Sequence, residues 1–272
     1  MSESSSETTS DPVIGLIGGS GLYSFFEEAH AVAVQTPYGS PSADVTIGRI
    51  AGREVAFIPR HGAGHRFSPH SVPYRANMWA LRSLGVRTVI GACAVGGLRA
   101  DHGPGTVVVP DQLIDRTSGR AQTYFDTGGR HAQFADPYCE SLRQTLIAAN
   151  GAAVAGGTMV VIEGPRFSTR AESRWYAAQG WTLVNMTGHP EAVLARELGI
   201  CYAAAALVTD LDAGVESGEG VRTADVMAEF ERNLPQFRQW LTVAIAGVGT
   251  DTGCGCADDD FDLAELGLPT TR

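Results

Sequence analysis

The chain has 272 residues, of which 44% are hydrophobic and 18% are charged, so it carries enough apolar surface to form a folded core. Its formal net charge of -10 argues against a nucleic acid or an anionic membrane as partner, because both require a surface field that attracts phosphates. A few local cations and backbone amides can still bind a small anion on an acidic protein. The composition therefore favours a small-molecule partner.

The N-terminal residues 1–11 contain no Lys or Arg and no apolar stretch, and they are predicted to form a disordered tail, not a targeting peptide. No apolar run approaches the roughly 20 residues that a membrane span requires. The five cysteines are scattered, which is not the pattern of a disulfide framework in a chain of this size. These features predict a cytoplasmic protein.

Short β-rich runs alternate with longer amphipathic runs, which is typical of an α/β fold. We predict a single domain over 12–248, with a central mixed, largely parallel twisted sheet flanked by helices, and an acidic tail over 249–272 with one short helical piece. Ala51-Gly52 suits a two-residue hairpin turn, so one antiparallel pair is expected. The predicted strands are 13–17, 45–50, 53–58, 87–92, 106–110, 157–163, 182–186 and 201–209. The predicted helices are 72–84, 137–150, 170–179, 189–198 and 223–247, the last with Thr223 as its N-cap.

A glycine-rich turn, Gly18-Gly19-Ser20-Gly21, follows the first predicted strand. Its backbone amides and the Ser20 hydroxyl can hold an anion. It is not the dinucleotide fingerprint, because Ser24 stands where Gly or Ala is required, and no Lys follows as in a Walker A loop. A tight strand-to-helix turn without a ligand is the alternative.

Arg60, His61 and His65 follow the predicted strand 53–58. The carboxyl ends of strands are where open α/β sheets bind ligands. A guanidinium can fork onto two phosphate oxygens, and an imidazole can donate a further hydrogen bond. The two imidazoles have no third ligand at useful spacing, so no metal site is predicted here. A solvated surface loop is the alternative.

Three further strand ends carry candidate residues. Phe167 can stack on a flat base, although core packing explains it as well. Thr187 can hold an anion together with helix amides, or it can simply cap the helix. Asp210 and Asp212 point to the same side of an extended chain, about 6.6 Å apart along it. Burial is costly for such a pair and raises the pKa of one carboxyl group, which predicts a proton donor.

Several motifs follow one another along the chain: GGSGL, RHG-x-GH, PYRANMWALRSLG, TVIGACAVGGL, PDQLIDRT, EGPRFSTRAES, NMTGHPEAVLARE and TDLD. From about Ile14 to Val248 the chain resembles the trimeric purine nucleoside phosphorylase superfamily, and within it the 5'-methylthioadenosine phosphorylases. The resemblance implies reversible phosphorolysis of 5'-methylthioadenosine to adenine and 5-methylthioribose 1-phosphate, in methylthioadenosine recycling and methionine salvage. It also implies inorganic phosphate as co-substrate, no cofactor, and a homotrimer that can pair into a hexamer.

The resemblance also implies roles for individual residues. A protonated Asp210 would give a proton to purine N7, and Asp212 would accept from the 6-amino group, which favours adenine over 6-oxopurines. The implied phosphate site is Ser20, Arg60, His61, Ala94 and Thr187, with Cys93 beside Ala94. Met186 would pack against the ribose, and Phe167 would line the base pocket. Ser168 and Thr223 would influence base and 5'-group selectivity. The alkylthio group would be contacted by His65, Val226 and Met227, and His131 would come from a neighbouring subunit.

Some departures leave alternatives open. Gly188 also occurs in relatives that use 5'-methylthioinosine, and the polar Thr223 can admit adenosine. A nucleosidase, which would use water in place of phosphate, and a nucleoside-binding protein without turnover are more distant hypotheses. Cys254-x-Cys256 resembles a C-terminal CxC of some thermostable relatives, and it is predicted here to be two free thiols.

Overall fold

The computed structural model describes residues 13–215, 220–249, 253–259 and 261–269, so the predicted tail 1–11 lies outside the described residues. The strands are β1 (Ile14–Gly18), β2 (Glu27–Val32), β3 (Val45–Ile50), β4 (Arg53–Pro59), β5 (Thr88–Gly97), β6 (Val107–Val109), β7 (Gln112–Arg116), β8 (Val154–Ala155), β9 (Thr158–Ile162), β10 (Leu183–Asn185) and β11 (Cys201–Leu211). The helices are α1 (Tyr74–Ser83), α2 (Glu140–Ala148), α3 (Arg170–Ala178), α4 (Gly188–Glu197) and α5 (Thr223–Gly247). None of these helices is long and apolar enough to cross a membrane.

The strands form one mixed sheet in the order β2-β3-β4-β1-β5-β10-β9-β7, and β11 also pairs with β5. Pairing is parallel between β1 and both β4 and β5, and between β11 and β5. Antiparallel pairing joins β3 to β4 and β5 to β10. The predicted α/β class with a largely parallel sheet is confirmed.

The hairpin predicted at Ala51-Gly52 is confirmed, since φ is 50° at Ala51 and 77° at Gly52, which is the geometry of a type I' turn. Strand β2 was not predicted because it is almost entirely exposed at the sheet edge and shows no apolar alternation. Strand β7 was missed as well. Pro110, which has no N–H to donate, separates it from β6, and the two strands then pair with different neighbours.

All five predicted helices are present, with ends shifted by a few residues at most. The N-cap prediction for α5 was wrong: Arg222 occupies that place and Thr223 is the first helical residue. A side-chain cap is not required for a helix of 25 residues, because tertiary packing of its apolar face stabilises it.

Two apolar layers cover the sheet, one with α1 and α4 and the other with α2 and α5. Strand β11 lies between these layers, and its first nine residues are buried. Such a continuous apolar run is expected for a central strand covered on both faces.

The C-terminal segment also packs on the domain. Leu266 is buried in a short 3-10 helix, Leu263–Leu266, and its carbonyl accepts a 2.9 Å hydrogen bond from Trp79 Nε1. The predicted short helical piece is therefore present.

Candidate active site

One cavity of about 680 Å³ lies at the carboxyl ends of β1, β4, β9, β10 and β11, with the middle of β5 as its floor and one face of α5 as a wall. This is where parallel strands of α/β sheets present ligand-binding groups. The predicted site residues that line it are Arg60, His61, His65, Cys93, Ala94, Phe167, Ser168, Met186, Thr187, Asp210, Asp212, Thr223, Val226 and Met227.

Two predicted residues are not among those lining the cavity. Gly19 and Gly21 line it, but the side chain of Ser20, between them, lies outside the described part of the structure. His131 is exposed in the connection between β7 and α2. Its predicted role requires a second subunit and remains a prediction.

Arg60 is almost completely buried and forms an ion pair with Glu191 of α4. Its Nε and Nη2 donate to the two carboxylate oxygens, the latter at 2.9 Å, and Nη1 donates to the Ala92 carbonyl at 2.8 Å. Burial opposes the charge, but the Glu191 carboxylate raises the pKa of Arg60, so the guanidinium stays cationic. Three of its five N–H groups are thus used, and the predicted fork onto phosphate is limited to the remaining two.

Glu191 was not predicted as a site residue. It accepts a further 2.9 Å bond from the Tyr202 hydroxyl and is 1% exposed. The sequence feature that could have identified it is an acidic residue on the buried face of an apolar helix, because a buried carboxylate requires a cationic partner. Glu191 therefore holds Arg60 in one orientation below the cavity.

The imidazole rings of His61 and His65 stack with centroids 4.1 Å apart. His61 Nδ1 lies 2.8 Å from the Phe67 carbonyl oxygen, which can only accept, so Nδ1 carries the proton. Burial, Arg60 and His65 lower the pKa of His61 to about 4, against the Phe67 hydrogen bond. The ring is therefore neutral at pH 7 with Nε2 as an acceptor. In this state Nε2 can accept a hydrogen bond but cannot donate one, and the role of His61 in phosphate binding remains a prediction.

Thr187 lies at the N-cap of α4, but its side chain makes no cap hydrogen bond. Asn185 Oδ1 accepts from the backbone amides of Thr187 and Gly188, at 2.7 and 2.6 Å. These two amides are therefore occupied, and the predicted anion site of helix amides is reduced to the Thr187 hydroxyl and the remaining groups of the turn. Asn185 is a missed positioning residue.

Arg120 is a second missed positioning residue. Its guanidinium donates to the carbonyl oxygens of Met186 at 2.9 Å, His189 at 2.6 Å and Glu163 at 2.7 Å. These carbonyls belong to the ends of β9 and β10 and the start of α4. One cation thus fixes the two loops that carry Phe167 and Thr187 relative to each other.

Cys93 and Ala94 lie side by side in β5, where Ala94 is exposed to the cavity and Cys93 is buried. Burial raises the pKa of the Cys93 thiol to about 12, although Arg60 opposes this. The thiol therefore stays protonated and has no nucleophilic role.

Asp210 follows an irregularity in the pairing of β11 with β5: Val208 pairs with Val95 and Asp210 with Gly96, so Thr209 is the extra residue. The Thr209 hydroxyl donates to Asp210 Oδ2 at 3.0 Å. Burial raises the pKa of Asp210 to about 6, against this hydrogen bond and with a further contribution from Asp212. The acid form is thus available near neutral pH.

Asp212 is 3% exposed, and its Oδ2 has no hydrogen-bond partner within the described ranges. The Ser168 hydroxyl, also buried beside the cavity, has none in the same part of the chain. Burial raises the pKa of Asp212, against the nearby hydroxyls of Ser173 and Ser168. Buried polar atoms without partners are costly, so both point to a ligand that supplies them.

The wall formed by α5 is mostly apolar. Val226, Phe230 and Leu234 line the cavity from this helix, and Met227 lines it while 45% exposed. A Cβ at Gly21 would lie only 3.1 Å from Leu234, so the glycine-rich turn packs closely on this wall. The wall suits an apolar substituent next to the polar part of the cavity around Arg60.

A fixed buried cation, a raised carboxyl pKa and unpartnered polar atoms at strand ends define an α/β enzyme site for an anion and a polar, flat ligand. The model of the phosphorylase superfamily matches residues 13–246, and the chain belongs to this family.

The chain is 65% identical over 243 residues to S-methyl-5'-thioadenosine phosphorylase of Mycolicibacterium smegmatis, covering 89% of this chain and 93% of the relative. It is 54% identical over 266 residues to purine nucleoside phosphorylase of Streptomyces coelicolor, covering 92% and 95%. The crystal structure of a methylthioadenosine phosphorylase from an antarctic soil metagenomic library superposes with a TM-score of 0.81 at 42% identity, covering 87% of this chain and 85% of that one. The fold prediction and the family resemblance are confirmed.

Proposed function

We propose that this enzyme catalyses reversible phosphorolysis of 5'-methylthioadenosine to adenine and 5-methylthioribose 1-phosphate, a reaction of methionine salvage. The observation that carries the proposal is the pair Asp210 and Asp212 in one cavity with the fixed cation Arg60 and the apolar α5 wall. The named activity of the Mycolicibacterium smegmatis relative supports the same substrate.

The reaction breaks the bond between adenine N9 and ribose C1' and forms a bond between C1' and a phosphate oxygen. The electron pair of the broken bond passes to the purine, and the ribose becomes oxocarbenium-like. Asp210 donates its proton at N7, which stabilises the leaving base. Arg60 and the hydroxyl of Thr187 bind the phosphate, and the unprotonated Nε2 of His61 accepts a hydrogen bond from a phosphate hydroxyl and so orients it for attack.

Specificity for the 6-amino group rests on Asp212. An unpartnered, buried carboxylate oxygen accepts an amino N–H but repels a 6-oxo oxygen. Broader purine nucleoside phosphorolysis is the second candidate, because the Streptomyces coelicolor relative carries that name and the raised pKa of Asp212 allows it to be protonated and donate instead.

The 5' group is expected to lie against α5. Val226, Met227 and Phe230 contribute an apolar surface that favours a methylthio group over a hydroxyl. Thr223 is exposed at the start of the same helix and offers a hydroxyl, which leaves room for adenosine as a weaker substrate.

The proposed assembly is a homotrimer in which His131 reaches the cavity of a neighbouring subunit, supported by its exposure and its absence from the described lining of its own cavity. The proposed compartment is the cytoplasm. No disulfide joins any of the five cysteines in the described part of the chain, which is typical of a reducing environment.

The test is to incubate the enzyme with 5'-methylthioadenosine, 5'-methylthioinosine and adenosine, each with and without phosphate, and to measure the free base by chromatography. Phosphate-dependent release of adenine, fastest from 5'-methylthioadenosine, is expected. Faster release of hypoxanthine would favour the second candidate. Release that does not depend on phosphate would contradict the proposal.

A further inference from the structure

Four of the five cysteines come together outside the cavity: Cys139, Cys201, Cys254 and Cys256. Their sulfur atoms all lie within 4.8 Å of one another, and those of Cys201 and Cys254 are 3.2 Å apart. The fifth cysteine, Cys93, lines the cavity instead. We call the four residues the thiol cluster.

Three separate parts of the fold build the thiol cluster. Cys139 is the N-cap residue of α2, and Cys201 is the first residue of β11. Cys254 and Cys256 come from the C-terminal segment, where Gly253 has a φ of 56°, in the left-handed region that favours glycine. A turn closed by the Asp258 amide and the Gly255 carbonyl then holds this stretch of chain in place.

The surroundings of the thiol cluster are apolar. Cys139, Cys201 and Cys256 are 2%, 7% and 6% exposed, and they belong to the layer that packs α2 and α5 on the sheet. Within the described ranges, the cluster is the only group of three or more potential metal ligands that converges in this way. Cys254 is half-buried, and a largely buried site that offers sulfur atoms alone matches a soft or borderline metal ion rather than Mg²⁺ or Ca²⁺.

We propose that the thiol cluster binds one Zn²⁺ ion through four thiolates and thereby fastens the C-terminal segment to the sheet. In a tetrahedral site with Zn–S bonds of about 2.3 Å, the sulfur atoms are about 3.8 Å apart. The Cys201 and Cys254 sulfur atoms, at 3.2 Å, lie slightly closer than this, and no pair in the cluster is more than 4.8 Å apart, so small side-chain movements suffice. Binding releases the four thiol protons and leaves a net charge of 2- on the site, which the N-terminus of α2 at Cys139 helps to stabilise.

A disulfide would use the same residues differently. It joins two sulfur atoms at about 2.05 Å and places no requirement on any other thiol. Here every sulfur atom is close to all three others, which is the arrangement that a single central ion requires.

The position of the thiol cluster suggests what the ion does. Cys201 begins β11, and the same strand ends near Asp210 at the cavity. The C-terminal segment held by Cys254 and Cys256 continues to Phe261, which stacks on Phe125 with centroids 5.0 Å apart, and to Glu265, which is 2.7 Å from Arg130. Zinc is therefore expected to stabilise this end of the domain and to take no part in the reaction.

The test measures zinc and thiols in the full-length protein, purified without a polyhistidine tag and under reducing, anaerobic conditions. Mass spectrometry of the metal should give about one zinc per chain, and thiol titration after denaturation with a chelator should give all five thiols. A Cys256→Ser variant should lose at least nine-tenths of the zinc. The matched control, Cys93→Ser, should retain it.

Cobalt gives a readout that does not depend on any variant. Exchange of Co²⁺ into the wild-type protein should produce the visible absorption of tetrahedral cobalt thiolate, and addition of a chelator should lower the unfolding temperature. Five free thiols with no zinc after dialysis against Zn²⁺ and no cobalt spectrum would overturn the proposal. Fewer than five thiols without metal would also overturn it, in favour of disulfides.

Discussion

The proposed phosphate side of the cavity, around Arg60, and its proposed base side, around Asp210 and Asp212, are built in different ways. On the phosphate side, Arg60 is held by Glu191, which is bonded in turn to Tyr202. On the base side, Asp212 Oδ2 and the Ser168 hydroxyl have no partner in the part of the chain that the structure describes. The first region is organised before any ligand arrives, whereas the second is completed by the ligand. Pre-organised charge favours catalysis, and unpartnered groups favour selectivity.

The largest effect is expected from Asp210→Asn, which removes the proton donor of the base side. General acid catalysis contributes about 10²- to 10⁴-fold, so kcat should fall by that factor while binding of 5'-methylthioadenosine changes little. Steady-state kinetics and nucleoside binding measure the two quantities. An equal loss in both would contradict the assignment.

The unfolding temperature of Asp210→Asn serves as a control for correct folding of the variant. Because burial raises the pKa of Asp210 to about 6 in the folded protein, above the value of 3.8 expected for the unfolded chain, the stability that this carboxyl contributes is lost as pH rises through 6. Asp210→Asn should therefore not lower the unfolding temperature at pH 8. A lower value would mean that the loss of activity is structural.

Glu191→Ala tests the pre-organised phosphate side. It leaves Arg60 as a buried cation without its partner, which costs about 3–5 kcal/mol of unfolding free energy. Urea denaturation measures this loss, and phosphate affinity should fall with it. Glu191→Gln, which keeps the shape and one acceptor oxygen, should lose less. Equal stability of Glu191→Ala and the wild type would show that Arg60 does not depend on the ion pair.

Asp212→Asn tests whether the base side determines the selectivity between 6-amino and 6-oxo purines. The amide can donate to a 6-oxo group, which the ionised carboxylate cannot do. The ratio of kcat/KM for 5'-methylthioadenosine to that for 5'-methylthioinosine should fall by a factor that corresponds to about 1–3 kcal/mol of free energy. Parallel assays of the two nucleosides give the ratio. An unchanged ratio would remove Asp212 from base recognition.

The pH dependence of kcat/KM should reflect the role of Asp210 as the proton donor of the base side. Asp210 donates only in its acid form, so kcat/KM for the nucleoside at saturating phosphate should decline above about pH 6, with up to tenfold loss per pH unit. The decline should be absent from Asp210→Asn. A profile of the variant that matches that of the wild type would assign the decline to another group.

The smallest effect is expected from Tyr202→Phe. It removes the hydroxyl that donates to Glu191 Oε2 at 2.9 Å but leaves both hydrogen bonds between Arg60 and Glu191. The unfolding free energy should fall by about 1 kcal/mol, as is usual for one buried hydrogen bond. A loss as large as that of Glu191→Ala would mean that the hydroxyl, not the ion pair, fixes the carboxylate.

Much of the fold was predictable because it depends on neighbours in the sequence. Alternating apolar runs and helix end signals located the buried strands and all five helices, and Ala51-Gly52 located the hairpin. The exposed edge strand β2 was missed because an edge strand does not require an apolar pattern. The candidate site residues were found where strands end, since parallel strands present their carboxyl ends at one edge.

Only the tertiary structure decided how these residues are paired. Arg60 and Glu191 are 131 positions apart, and no local pattern shows that one neutralises the other. The same holds for Asn185, which occupies the helix amides beside Thr187, and for His61, whose proton position is set by a carbonyl. The sequence determined strands, helices and the order of motifs, because these follow from interactions over a few residues. Partners, protonation and the thiol cluster depend on where distant segments meet, and only the folded chain settles that.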